Sequence, residues 1–156
     1  MIFFATSALY MNDIIEEEAR AAGATDIRTI SGGVEFSADL AAAYRFCLWS
    51  RTATRVLLGL FEDEDILDAD ELYEASAQIP WEDWVNPNIT FSVTETVKNC
   101  PYMKNSHFAA IRLKDAIVDR IRSKFDGERP LVDTENSDVV FHLHIDGDKV
   151  AWYVDF

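Results

Sequence analysis

The order of the predicted strands and helices in the first 60 residues constrains the fold of this 156-residue chain more than any other feature of the sequence. Strands are predicted from short apolar or alternating segments, and helices from apolar residues spaced three or four apart. The six elements are a strand, a helix, two strands, a helix and a strand, at Ile2–Thr6, Asn12–Ala22, Ile27–Ile30, Val34–Ser37, Leu40–Ser50 and Arg55–Phe61. This order, β-α-β-β-α-β, is that of the ferredoxin-like arrangement.

Local signals in this region indicate structure rather than chemistry. Asn12 is a residue type that caps helices, and we expect it to cap the first helix. Cys47 shares an apolar helical face with Ala43 and Phe46, so we expect a buried small hydrophobic residue. Ser31-Gly32-Gly33 has the glycines of a phosphate-binding loop, but a strand rather than a helix follows, which favours a tight hairpin turn.

Residues 62–156 follow a second mixed pattern. The predicted elements are a helix that carries Leu72, Ala75 and Ile79 and ends at Pro80, a turn with Trp81 and Trp84, a strand at Ile89–Val97, a helix at Ser106–Phe125, and two strands, Val139–Ile145 and Val150–Phe156, joined at Asp146-Gly147. We therefore predict an α+β fold, with a ferredoxin-like lobe at residues 1–61 and a second α/β lobe at residues 62–156.

The chain is strongly acidic overall, but its charge is not uniform. Fourteen basic and 28 acidic residues give a net charge of −14, which predicts repulsion from nucleic acids. Residues 98–129 differ, because they hold eight basic and only four acidic side chains. Such a local positive field acts on a ligand within a Debye length of about 8 Å.

Several classes of protein are not indicated. No apolar run reaches the ~18 residues of a membrane span, and the N-terminal residues do not form a signal peptide. The two cysteines, Cys47 and Cys100, do not make a disulfide framework, so we expect reduced thiols and a cytoplasmic protein. The sequence has no nucleophile elbow, metalloprotease helix or dinucleotide fingerprint, so whether the chain is an enzyme stays open.

Two clusters have metal-ligand residue types, but a simpler interpretation is favoured for each. His142, His144 and Asp146 alternate along a strand and so share a face, yet they also fit the solvated face of that strand. The acidic segment Glu62–Glu71 lacks the glycine and the closing glutamate of a calcium loop. A solvated loop at a helix start explains it better.

The start of the long helix is the strongest candidate for a binding site. The residues concerned are Lys98 and Asn99 at the end of a strand, Lys104, Asn105, Ser106 and His107 before and at the helix start, and Arg112 and Lys114 within the helix. The helix dipole, its unpaired N–H groups and nearby lysines favour an anion such as phosphate. The alternative is a solvated helix face stabilised by the i,i+3 pairs Arg112–Asp115 and Asp119–Arg122.

Six segments, in order along nearly the whole chain, carry a resemblance to a known family. They are Phe3–Thr6 (FFAT), Gly32–Phe36 (GGVEF), Arg51–Leu60 (RTATRVLLGL), Asn105–Arg120 (NSHFAAIRLKDAIVDR), Val132–Glu135 (VDTE) and His142–His144 (HLH). They resemble the N-terminal part of bacterial 23S rRNA guanine-N2 methyltransferases, which joins a ferredoxin-like lobe to a THUMP domain. THUMP domains are RNA-binding modules of RNA-modifying enzymes.

The resemblance implies that residues 62–156 are a THUMP-type lobe that captures 23S rRNA. It also implies that a methyltransferase domain, which takes its methyl group from S-adenosylmethionine, follows in the parent protein; we expect no cofactor in this chain. The residues expected to contact RNA are Lys98, Asn99, Lys104, Asn105, Ser106, His107, Arg112 and Lys114, with Arg51 and Arg55 as second-tier candidates near the junction of the lobes.

A competing hypothesis is a protein-docking module. The acidic segments Glu16–Glu18 and Glu62–Glu71 would then bind a basic partner or the catalytic domain of the same protein. Such a surface also needs an exposed apolar patch, which Trp81 or Trp84 would supply if exposed. A third hypothesis, a ferredoxin-like domain that binds a small molecule, needs a pocket that the sequence does not reveal.

Overall fold

The computed structural model describes residues 1–103 and 105–156, which divide into two compact units. The first unit comprises Met1–Gly59 together with Asp155–Phe156, and the second unit comprises Leu60–Val154. Both units are built from helices and strands, which confirms the predicted α+β class. Among the described residues, no helix combines the length and the apolar character needed to cross a membrane.

The first unit has the predicted order of elements. They are β1 (Ile2–Ser7), α1 (Asn12–Ala22), β2 (Thr25–Ile30), β3 (Gly33–Ser37), α2 (Leu40–Trp49) and β4 (Ala53–Asp63). The strands pair antiparallel in the order β2-β3-β1-β4, so β1 is hydrogen-bonded on both sides. This is the ferredoxin-like arrangement, and the prediction is confirmed.

Aromatic residues from three elements fill the core of the first unit. Phe3 of β1 stacks on Phe36 of β3, with ring centroids 5.8 Å apart, and Phe36 meets Phe46 of α2 at 5.0 Å. Ile15 of α1 is also fully buried. Each such side chain contributes roughly 1.5–3 kcal/mol by leaving water, so these residues hold both helices against the sheet.

Helix α1 begins without the predicted cap. Met11 occupies the N-cap position and makes no side-chain capping bond. Asn12 is already helical, and its Oδ1 accepts a hydrogen bond from the Ser7 hydroxyl at 3.0 Å. The prediction that Asn12 caps α1 is therefore wrong, because its side chain is bonded to the end of β1 instead.

Helix α2 does not bury the thiol that the sequence pattern placed on its apolar face. Its buried residues are Ala42, Ala43 and Phe46, whereas Cys47 is exposed. Positions 42, 43 and 46 form one stripe at helical spacing, and Cys47 lies outside it. The prediction of a buried Cys47 is therefore wrong, because the sheet covers the neighbouring face.

The glycine-containing segment between β2 and β3 is a hairpin turn, as predicted. Ile30 pairs with Gly33, so Ser31 and Gly32 form the turn. Gly33 also lies directly against β1, because a Cβ atom added there would be 2.0 Å from the carbonyl oxygen of Ala5. Glycine is required here by the close approach of two backbones rather than by a bound phosphate.

The second unit is built around a sheet with both parallel and antiparallel pairs. Its elements are α3 (Ala69–Gln78), a 3-10 turn (Trp81–Asp83), β5 (Thr90–Lys98), α4 (Ser106–Lys124), β6 (Leu131–Val132), β7 (Val139–Asp146) and β8 (Lys149–Asp155). The strand order is β8-β7-β5-β6; β5 is parallel to β6 and β7, and β7 is antiparallel to β8. The two-residue β6 was not predicted, because it is too short to show a pattern.

Helix α4 supplies one wall of the core of the second unit. Its buried residues are Ala109, Ala110, Leu113, Ala116, Ile117 and Ile121. They face the buried side of the sheet, where Phe91 of β5 and Phe141 of β7 lie 6.1 Å apart between ring centroids. The apolar spacing predicts a buried stripe of Ala110, Leu113, Ile117, Ile121 and Phe125, and this is confirmed except that Phe125 is only half-buried.

A buried serine in α3 joins two tryptophans. The Ser76 hydroxyl accepts a hydrogen bond from Trp152 Nε1 at 2.9 Å and donates one to the Leu72 carbonyl at 2.7 Å. The Ser76 carbonyl accepts a second indole hydrogen bond, from Trp81 Nε1, at 2.8 Å. The sequence pattern predicts Ala75 on the buried face of α3, but Ser76 is buried there instead. This serine can be buried because its polar atoms are hydrogen-bonded.

Candidate nucleic-acid interface

The N-terminal end of α4 presents polar groups at the surface. Asn105 is the N-cap, and its Oδ1 accepts a hydrogen bond from the His107 backbone N–H at 3.0 Å. Asn105, Ser106 and His107 are all exposed, and the first turn contains no acidic residue. The positive end of the helix dipole therefore has no carboxylate of its own first turn beside it, which favours an anion there.

The end of β5 is fixed by the β7–β8 hairpin. Asn99 has a left-handed backbone with φ of 49°, and its Nδ2 donates to Asp146 Oδ1 at 2.8 Å. The Lys98 carbonyl accepts the Gly147 N–H at 3.0 Å, and its side chain is exposed. Burial, with the positive charge of Lys98, lowers the pKa of His144. Asn99 is thus bonded within the protein, and the Lys98 side chain lies at the surface.

Arg112 is bonded to helix α3. Its Nη2 pairs with Asp70, its Nε donates to a backbone carbonyl at the start of α3 at 3.1 Å, and its guanidinium lies 4.9 Å from the centre of the Tyr73 ring. The expected Arg112–Asp115 pair is wrong, because Asp115 lies 3.2 Å from the ammonium of Lys114 instead. The expected Asp119–Arg122 pair is present, at 3.8 Å.

Lys114 shares a helix face with His107, near the start of α4. It is seven residues beyond His107, and seven residues span about two turns, so both lie on one side of the helix. The structure therefore groups Asn105, Ser106, His107 and Lys114 on the first half of α4. Lys104 lies outside the described residues.

Arg51 and Arg55 both belong to the first unit. The Arg51 side chain is 86% exposed, and its Nε lies 3.7 Å from Glu18. Arg55 is ion-paired with Asp155 at 3.0 Å and is about one-third exposed. Of the two, Arg51 is the one whose charge is more available to a ligand, since surface pairs at such distances are weak.

The opposite end of α4 carries basic residues that sequence reasoning did not select. A cleft of about 540 Å³ is lined there by Pro87, Asn88, Arg122, Gly127, Glu128 and Arg129. The signal was present, because both arginines lie in the positive segment 98–129. No motif marked them, however, and the cleft depends on a loop from before β5 that is distant in sequence.

Arg120 has a structural role close to this end of the helix. Its Nε and Nη2 donate to the two carboxylate oxygens of Glu82 at 2.6 and 2.8 Å. Its Nη1 donates to the carbonyls of Ala77 and Gln78 at the end of α3. The hydrogen bonds from Nε and Nη2 lower the pKa of Glu82 to about 2. Arg120 therefore joins α4 to the C-terminus of α3, as Arg112 joins it to the N-terminus.

The metal-ligand interpretation finds no support in the described part of the chain. Among residues 1–103 and 105–156, no three histidine, cysteine or acidic side chains are arranged to hold a metal ion. His142 is hydrogen-bonded through Nδ1 to Thr94 at 2.9 Å and through Nε2 to Thr96 at 3.3 Å. Its ring is thus part of the strand-to-strand bonding between β5 and β7.

Trp81 and Trp84 do not form the exposed patch that the docking hypothesis requires of them. Trp81 is fully buried, and Trp84 is only half-buried. In the acidic segment, Asp68 caps α3 by accepting hydrogen bonds from the backbone N–H groups of Asp70 and Glu71 at 2.8 and 2.9 Å. Within that segment Glu62 and Asp63 still belong to β4, and residues 64–68 form the loop before α3, so the interpretation of the segment as a loop at a helix start is confirmed in part.

Comparison with known proteins identifies both units. Residues 67–155, more than half of the chain, match the THUMP domain, and residues 2–57 match the RlmL ferredoxin-like domain. Over 153 residues the chain is 39% identical to a ribosomal RNA large subunit methyltransferase K/L from Syntrophotalea carbinolica, covering 98% of this chain and 21% of that protein. A protein of the same name from Pseudomonas syringae pv. tomato is 40% identical over 152 residues, covering 97% of this chain and 20% of that protein.

The fold agrees with that of a solved structure. A protein from Listeria monocytogenes, described as a predicted N6-adenine-specific DNA methylase, superposes with a TM-score of 0.83 at 26% identity. The match covers 99% of this chain and 40% of that one. The chain thus spans about a fifth of the length of the curated relatives it matches. By its fold and its family matches, the chain belongs to the THUMP domain family and carries the RlmL ferredoxin-like domain ahead of the THUMP domain.

Proposed function

We propose that this chain is the RNA-binding region of a cytoplasmic methyltransferase that modifies a guanine N2 atom of 23S rRNA. The observation that carries the proposal is the THUMP match over residues 67–155, together with relatives named as ribosomal RNA large subunit methyltransferases. The proposed boundary between the ferredoxin-like and THUMP lobes lies at residues 61 and 62. The Listeria protein is described as a DNA methylase, so the test below compares binding to RNA with binding to DNA.

The methyl donor, S-adenosylmethionine, is proposed to bind outside this chain. The relatives extend over about five times the matched length, which leaves room for a separate catalytic domain. The cleft of about 540 Å³ beside α4 is lined by charged and polar residues. Such a lining does not suit an adenosine ring, which binds best in enclosed, mostly apolar pockets.

The proposed RNA contacts lie around the first half of α4. Lys98, Lys104 and Lys114 would bind phosphates, and the helix start at Asn105, Ser106 and His107 would donate hydrogen bonds to them. What supports this is the exposure of Lys98, Asn105, Ser106 and His107, the partial exposure of Lys114, and the absence of a carboxylate from the first turn of α4.

Four of the predicted contacts have a lower rank in this proposal. Arg112 is held by Asp70 and Tyr73, and Asn99 is held by Asp146, so both are assigned mainly to positioning. Arg51 and Arg55 remain second-tier contacts, with Arg51 the more exposed.

The test is the salt dependence of RNA binding by the 156-residue chain. Fluorescence anisotropy with a 23S rRNA hairpin should give a slope of log Kd against log salt that reflects about three phosphate contacts, roughly 0.7–0.9 each. The triple variant Lys98→Ala/Lys104→Ala/Lys114→Ala should reduce that slope by about two units. A DNA hairpin of the same sequence should bind more weakly, because it lacks the 2′-hydroxyls.

A matched control removes basic residues from other surfaces. Arg20 is exposed in the last turn of α1, and Lys124 is paired with Glu82 at 3.5 Å at the C-terminal end of α4, so the double variant Arg20→Ala/Lys124→Ala makes the net charge more negative without touching the proposed site. If this control lowers the slope as much as the triple variant does, binding depends on total charge and the proposed site is wrong. Tighter binding of the DNA hairpin would refute the assignment to RNA.

A further inference from the structure

Helix α2 exposes an apolar stripe to solvent. Leu40 is 46% exposed, Tyr44 58% and Leu48 81%, and these three residues are spaced four apart, so they lie on one face. The exposed Cys47 lies next to Leu48 on the same side. The helix, Leu40–Trp49, contains a single charged residue, Arg45. A helix face that is only solvated normally carries several charged side chains, so this face is typical of one that contacts another protein surface.

The last residue of the described chain is fixed beside this stripe. The Phe156 N–H donates to the Val56 carbonyl at 2.9 Å, and the Phe156 ring meets Phe3 at 5.0 Å and Tyr44 at 4.9 Å between centroids. A polypeptide segment that continues after Phe156 therefore begins beside Tyr44 of the stripe. A cleft of about 330 Å³, lined among others by Cys47, Val56 and Phe156, continues the stripe toward β4.

We propose that the stripe Leu40–Tyr44–Cys47–Leu48 is the docking face for the polypeptide that follows Phe156 in the parent enzyme. The inference rests on the proposed function, because it takes the chain as one region of a protein about five times longer, as in the curated relatives. The docking segment is expected to be apolar, since the face it covers is apolar. A phosphate backbone is a poor occupant of this face, because Arg45, the single charged residue of α2, lies off the stripe and donates to the Ala22 carbonyl.

The location of the stripe gives this occupant an advantage over free partners. A tethered segment that starts at Phe156 has an effective concentration in the millimolar range at short tether lengths. An apolar face made by a few side chains of one helix can therefore be covered by attached chain. The docked segment would restrict how the parent enzyme orients its catalytic domain relative to the RNA-binding region.

Cys47 provides a built-in probe of whether the stripe is covered. Two proteins are compared: the 156-residue chain, and the longer protein in which the chain continues after Phe156 as in the Syntrophotalea carbinolica relative. Both are alkylated with iodoacetamide, and the rates at Cys47 and Cys100 are measured separately by peptide mass spectrometry. The longer protein should label Cys47 at least tenfold more slowly, whereas Cys100, in the second unit, should change less than twofold.

A pair of matched variants tests the stripe itself. Leu48 and Leu9 are almost equally exposed, at 81% and 83%, but Leu9 lies in the loop between β1 and α1 rather than on α2. In the longer protein, Leu48→Glu should restore fast labelling of Cys47, and Leu9→Glu should not. Both substitutions place a charge at an exposed position, so neither should unfold the protein.

Three outcomes would overturn the proposal. Equal Cys47 labelling in the two proteins would show that the following segment does not cover α2. Slower labelling of the 156-residue chain at higher protein concentration would make a second copy of this chain the occupant. Loss of RNA binding in Leu48→Glu, measured on the 156-residue chain, would assign the stripe to RNA. RNA affinity is measured separately, so the proposed RNA function can fail while Cys47 protection still stands.

Discussion

Arg112 and Lys114 lie two residues apart on α4, yet their contacts differ, and two substitutions should separate the roles proposed for them. Arg112→Ala removes a charged hydrogen bond to a backbone carbonyl at 3.1 Å, a cation–π contact at 4.9 Å and an ion pair with Asp70. Lys114→Ala removes a partly exposed ammonium that is paired with its neighbour Asp115. We expect Arg112→Ala to affect stability and Lys114→Ala to affect RNA binding.

The magnitude for Arg112 follows from its three contacts. A hydrogen bond from a charged donor contributes about 1.5 kcal/mol at the lower end of its range, and a cation–π contact at a partly exposed site about 0.5–1 kcal/mol. The ion pair adds little, because the Asp70 side chain is 88% exposed. Arg112→Ala should therefore lower the free energy of unfolding by about 2 kcal/mol. For Lys114→Ala the corresponding change should stay within about 0.5 kcal/mol.

Two measurements on each variant test this separation. Urea denaturation followed by tryptophan fluorescence gives the free energy of unfolding, since two of the four tryptophans are buried in the second unit. Anisotropy with the rRNA hairpin gives the salt slope, which Lys114→Ala should reduce by about 0.7–0.9 and Arg112→Ala should leave unchanged. Arg112→Lys serves as a control, because it keeps the charge but cannot reproduce the Nε hydrogen bond, and it should be destabilised without a change in slope. An Arg112→Ala variant that is fully stable but has a reduced slope would refute the reasoning.

Other predictions concern the packing of the two units. Ser76→Ala leaves the buried indole N–H of Trp152 without its acceptor and should lower the free energy of unfolding by about 1–2 kcal/mol, and a fully stable variant would contradict the role given to that hydrogen bond. The pKa of Glu82 is lowered from 4.5 to about 2, so its pairing with Arg120 stabilises the protein above pH 4.5, and this contribution is lost as pH falls through about 2. Glu82→Gln should therefore reduce stability at pH 7 and flatten the acid limb of thermal unfolding, and an unchanged acid limb would show that other carboxylates dominate. Gly33→Ala brings a methyl group to 2.0 Å from a carbonyl of β1 and should prevent stable folding of the first unit, as judged by circular dichroism.

The elements of this protein were largely predictable, because apolar spacing is a local property of the sequence. The β-α-β-β-α-β order and the α4 stripe follow from it directly. The burial of Cys47 was predicted wrongly, because apolar spacing within a helix does not determine which of its apolar residues pack against the sheet. The two-residue β6 exists only through its pairing with β5, so no periodicity within it could reveal it.

The candidate site was harder to predict than the fold, because partners distant in sequence decide which charges remain at the surface. The i,i+3 rule paired Arg112 with Asp115, but Asp70, 42 residues away, is the actual partner. Arg120 is likewise taken by Glu82, 38 residues away. The positive charge counted in residues 98–129 thus overstates what a ligand meets, since two of its arginines hold α3 against α4.

Because Arg112 and Arg120 are bonded to acidic residues within the protein, they limit how strongly the chain can bind RNA. With about three lysine contacts, the salt slope is roughly 2–3, and a rise from 50 to 200 mM salt should weaken binding about 20- to 40-fold. A net charge of −14 adds long-range repulsion rather than attraction. Under the proposed function, we therefore expect affinity at physiological salt to come in part from the rest of the parent enzyme, since a catalytic domain held at a fixed orientation contributes more than one on a free tether. An apolar face beside Phe156 is the feature of the first unit that could fix that orientation, so docking at α2 and capture at α4 would support the same substrate complex.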